Sequence, residues 1–178
     1  MRTATIVLAA YVLCVAVASV WRLLPWIDDA IPDLGALTAA YLGLTARRQV
    51  SPAIGGAVVL GYLIDLISGA PPGLFALVLA LTTLVARAVQ QRILVRGAVI
   101  SIAFSAFVAL VSGVLGLVMR ALYRMASAQV AVELQHIVVV TLATAIIGPL
   151  VWRIFRRIDA TFARTHRERD AALEGLAP

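Results

Sequence analysis

The residue types that carry chemistry are few and scattered in this chain. His136 lies three residues from Glu133, a pair too small to make a zinc site, and His166 stands apart among arginines. Cys14 has no second cysteine to pair with and reads as an apolar core residue. HExxH, GxSxG, a glycine-rich phosphate loop followed by Lys and a cysteine pair are all missing from the sequence. An intramembrane enzyme needs at least a nucleophile with its base, or two metal ligands at membrane depth. The expectation is therefore a protein that is not an enzyme, with no catalytic residue, metal or cofactor. What remains is an acid inside an apolar run, Asp65 in Leu60-Gly61-Tyr62-Leu63-Ile64-Asp65-Leu66-Ile67-Ser68-Gly69. A carboxylate there is disfavoured in lipid and should face a bundle interior or the water boundary.

The spacing around Asp65 decides between these. Ala53, Ala57, Gly61, Asp65 and Gly69 recur every four residues, so one stripe of a helix is small throughout except for the acid. Small stripes let a second helix backbone come close, which points Asp65 into a helix contact. As a structural group it would accept hydrogen bonds from Ser68, from amides of residues 69–73, or from Arg22 or Arg120. As a functional group it would relay protons or bind substrate, but no second buried charge stands ready to exchange a proton with it. Gly69-Ala70-Pro71-Pro72-Gly73 makes a tight turn, the prolines fixing φ and the glycines entering conformations closed to other residues.

Composition places these residues in a membrane. The 178 residues are 62% hydrophobic and 13% charged, with a mean hydropathy of +1.00, which excludes a water-soluble globule. The net charge of +6 comes entirely from arginine over acid, without lysine, and no basic face interleaved with aromatics exists, so nucleic-acid binding is set aside. About six apolar runs, at residues 6–24, 34–46, 52–67, 74–89, 97–118 and 137–155, predict an all-α polytopic bundle. The second run would reach only about 20 Å, so it must borrow its ends, thin the bilayer or be shielded by neighbours. Ser101, Ser105, Ala109 and Gly113, with Ser112 and Gly116 beside them, and Thr141, Thr144 and Gly148 read as packing positions of the last two runs.

Orientation follows from the arginines. One side collects Arg2, Arg47, Arg48, Arg87, Arg92, Arg96, Arg153, Arg156, Arg157, Arg164, Arg167 and Arg169. The other has only Arg22, Arg120 and Arg124, together with Asp28, Asp29, Asp33 and Glu133. Six crossings with both termini cytoplasmic and an acidic outer turn are expected, as one transmembrane domain over residues 1–155 and an Arg-rich tail over 156–178. That tail is an ordinary positive-inside stop or a contact to anionic headgroups. Trp21 and Trp26 suit an interfacial belt at the end of an uncleaved first helix, against the reading of residues 1–18 as a signal peptide. Residues 120–136, with Leu122, Met125 and Ala126 at helical spacing, suit a short surface helix or a partner contact.

Several of these pieces, taken in order, resemble the bacterial rod shape-determining MreD family. They are Pro32-Asp33-Leu34 opening a short run, Tyr41 within it, Gly55-Gly56 and Gly61 on the next, then Asp65-Leu66-Ile67-Ser68-Gly69, Gly73 and Ala76-Leu77. The motif covers residues 32–77, and the Pro71-Pro72 pair departs from the family's pattern. The resemblance implies a non-enzymatic component of the cell-elongation machinery in the bacterial inner membrane. Its partner would be MreC, and through it MreB filaments, the glycosyltransferase RodA and a class B penicillin-binding protein. It also implies a fold similar to the S components of energy-coupling-factor transporters. Pro32, Asp33, Gly61, Asp65, Ser68, Gly69 and Gly73 would then shape a partner-docking helix pair. The alternative is a vitamin-binding transporter subunit, whose outer-face pocket would draw on Asp65, Ser68, Trp21, Trp26, Arg22 and Tyr123.

Overall fold

The computed structural model describes residues 2–21, 30–46, 50–91, 97–123 and 130–174. Arg22, Trp26, Asp28, Asp29, Arg47, Arg48, Arg92, Arg96, Arg124, Met125 and Ala126 lie outside them, as do the side chains of Trp21, Arg164, His166, Arg167 and Arg169. Among the described residues every regular element is a helix: α1 (Arg2–Trp21), α2 (Leu34–Thr45), α3 (Ser51–Ser68), α4 (Leu74–Gln90), α5 (Ala98–Leu122) and α6 (Val130–Glu174). Four of them, α1, α3, α5 and α6, are long and apolar enough to cross a membrane, whereas α2 and α4 have 12 and 17 residues.

The boundaries have local causes. Pro52 in the first turn of α3 loses no hydrogen bond, because an amide there has no intrahelical partner. Gly69 ends α3 at φ 66°, and Gly73 precedes α4 at φ 98°, left-handed conformations that a side chain resists. Asp33 caps α2, its carboxylate accepting from the Ala36 amide at 2.8 Å. The last helix departs from expectation: it starts at Val130 and runs without a break past Phe155 to Glu174. The described parts of the 120–136 segment are the end of α5 and the first turns of α6, while residues 124–129, with Met125 and Ala126 of the expected surface helix, lie outside the described residues.

The short α2 sits at the centre and packs against each of the other five helices. Residues Leu34 through Gly43 are all buried, so its neighbours shield it from the surroundings. Around it the outer helices turn Leu8, Val12, Leu66, Val99, Leu142 and Ile146 outward, a surface of large apolar side chains that suits lipid. At one end of the bundle the Tyr41 hydroxyl donates to Asp159 on α6 at 2.5 Å, and Arg87 on α4 donates to the Ala46 carbonyl. The Tyr41 ring also packs on Phe155 at 5.2 Å. Tyr41→Phe keeps that ring contact and removes one hydrogen bond to a carboxylate. It is expected to lower stability by about 1–2 kcal/mol, read as a lower midpoint of unfolding in detergent.

Candidate functional site

The α3–α4 hairpin gathers five of the seven motif residues. Asp65, 2% exposed, lies one turn before the end of α3. Its carboxylate accepts from the amides of Gly73 at 2.9 Å, Phe75 at 2.9 Å and Ala76 at 3.4 Å. The first amides of a helix have no intrahelical acceptor and carry the positive end of its dipole. Gly73, at the cap position of α4, has no side chain to serve them. Asp65 supplies from the preceding helix what the cap residue lacks. Ser68 does not join it: its hydroxyl donates to the Asp65 main-chain carbonyl at 3.4 Å.

Gly61 lies one turn earlier on the same stripe, where α3 and α4 come closest. A Cβ at Gly61 would stand 2.4 Å from the Ala76 Cα and 2.5 Å from its nitrogen. Ala53, Ala57, Gly61 and Asp65 are all buried along this face, whereas Gly69 is exposed at its end. The stripe and the carboxylate form one device, since Ala76 both abuts Gly61 and donates to Asp65.

Pro32 and Asp33 take a separate place, at the start of α2 between α5 and α6. Pro32 is buried. The second carboxylate oxygen of Asp33 accepts from the Ser112 hydroxyl at 2.8 Å, and its amide donates to the Thr144 hydroxyl at 2.9 Å. Ser112 lies eight residues before Arg120 along α5, about 12 Å at 1.5 Å per residue. Asp33 is thus half-buried and tied to α5 and α6, so Asp65 is not the sole carboxylate drawn into the bundle, while Asp28 and Asp29 of the expected acidic turn lie outside the described residues. Asp33 is an N-cap before an apolar run, a signal readable in the sequence. Its partners, 79 and 111 positions away, carry no local signal.

Of the residues expected to form an outer pocket, Arg22, Trp26 and the side chain of Trp21 lie outside the described residues, and Asp65, Ser68 and Tyr123 are each placed by their own element. The Asp65 carboxylate is taken up by three amides, Ser68 bonds its own helix, and Tyr123 is exposed at the end of α5. Arg120 lines a cavity with Asp33 instead, together with His136 and Glu133. Among the described residues no group of three His, Cys, Asp or Glu side chains is placed to hold a metal. Phe75 joins the two carboxylates, its amide donating to Asp65 while the residue borders the cavity of Asp33. Comparison with protein-family models, characterised proteins and solved structures finds no match to this chain.

Proposed function

We propose that this chain is a non-enzymatic scaffold of the bacterial rod complex, the role implied by its resemblance to the MreD family. In this reading all six helices cross the inner membrane, both termini are cytoplasmic, and the arrangement follows the S-component pattern. MreC docks on the bundle and connects it to MreB, RodA and a class B penicillin-binding protein. The observation that carries the reading is the convergence of Gly61, Asp65, Ser68, Gly69 and Gly73 on one hairpin. Gly61 gives close packing there, and Asp65, Gly69 and Gly73 serve the helix ends, while Ser68 bonds its own helix, an arrangement that suits a docking platform.

The test replaces the native gene by a Gly61→Leu or Asp65→Leu variant in its own cells. Rod-shaped cells are expected to turn round, with less MreC recovered alongside the variant. Cells that stay rod-shaped with normal recovery of the complex would overturn the reading.

A further inference from the structure

A cavity of about 620 Å³ opens between the start of α2, α4, α5 and the first turns of α6. Sites for small organic ligands fall in this size range. Phe75, Val78, Leu117 and Ile137 give it apolar walls, and Arg120, Glu133 and His136 also border it. The lining also includes Asp33 and the buried Ser112.

A carboxylate can accept about four hydrogen bonds. Asp33 receives three, from the Ala36 and Gly35 amides and the Ser112 hydroxyl, which leaves it room for about one more donor, and it forms no ion pair with a cation among the described residues. A carboxyl group within a mostly apolar shaft is held as an anion by a cationic hydrogen-bond donor, because little water competes there for either charge. A metal ion would need several more oxygen ligands than these walls offer. We propose that the cavity binds a small amphipathic molecule carrying a protonated primary amine, with the ammonium on Asp33 and the apolar body against Phe75 and Leu117.

The proposal does not rest on the scaffold role and does not involve the Asp65 carboxylate, although Phe75 borders the cavity and donates its amide to Asp65. The full chain in phosphatidylglycerol nanodiscs is titrated with phenethylamine and with 2-phenylethanol, which has the same ring but no charge. Saturable binding at least tenfold tighter for the amine is expected. An added Cβ at Gly116, on the cavity lining, meets no atom within 4 Å. Gly116→Phe should therefore fill the space, keep the unfolding midpoint and weaken amine binding at least tenfold. Asp33→Asn should abolish the preference for amine over alcohol; if that variant does not fold, Gly116→Phe still decides. Absence of saturable binding, equal binding of the alcohol, or full amine binding by folded Gly116→Phe would overturn the proposal. Phosphatidylethanolamine added to the discs separates the sources: competition assigns the amine to a lipid headgroup, and no competition assigns it to a free solute.

Discussion

Asp65→Leu is expected to lower the unfolding free energy by about 3–5 kcal/mol, among the largest effects available to a single side chain here. The leucine fits an apolar helix but accepts nothing, so the amides of Gly73, Phe75 and Ala76 lose their shared acceptor at the buried start of α4. Hydrogen bonds to a charged acceptor contribute about 1.5–3 kcal/mol each, and part of that returns as the helix end frays toward water. Asp65→Asn keeps one acceptor oxygen and should lose about half as much. Equilibrium unfolding in mild detergent ranks the three proteins. A Leu variant within about 1 kcal/mol of the parent would show that α4 does not depend on this cap.

Gly61→Ala is expected to be nearly as damaging although it adds one methyl group. The atoms in its way, the Ala76 Cα and nitrogen and the Phe75 carbonyl carbon, all lie within 2.6 Å of the new Cβ and all belong to backbone. Backbone cannot rotate aside as a side chain would, so α3 and α4 must separate, at about 2–3 kcal/mol by the measure of overpacked cores. Separation also pulls the Ala76 amide from Asp65, so the effects of Gly61→Ala and Asp65→Asn should sum to more than the loss in the double variant. Gly55→Ala is the control, since a Cβ at Gly55 on the same helix meets nothing within 4 Å. It should change stability by less than about 1 kcal/mol. Helix propensity favours alanine over glycine at both positions, so equal losses for the two alanines would show that the close approach at Gly61 is not the cause.

Much of this architecture is legible in the sequence because membrane helices announce themselves by hydropathy. Observed α1 to α5 fall within a few residues of the apolar runs. The central place of α2 is foreshadowed by its length, since a run that short needs shielding. The end of α6 is not legible in this way: hydropathy falls after Phe155, but that fall marks a change of environment and not a break in hydrogen bonding. The four-residue stripe through Asp65 is a local pattern and points at a helix contact. The Gly73 amide falls within the turn residues expected to serve Asp65, whereas Phe75 and Ala76 reach it only because the turn at Pro71 and Pro72 brings α4 back, which is a matter of tertiary geometry. Asp33 is harder still. Beside Asp28 and Asp29 it looks like one more outer acid, and only Ser112 and Thr144, contributed by distant helices, show its depth.

Affinity purification from native membranes in mild detergent, with co-purifying proteins and small molecules identified by mass spectrometry, tests the scaffold role most directly. MreC is expected together with RodA and its penicillin-binding partner. Recovery of an ATPase module carrying a bound vitamin, with none of those proteins, would contradict it.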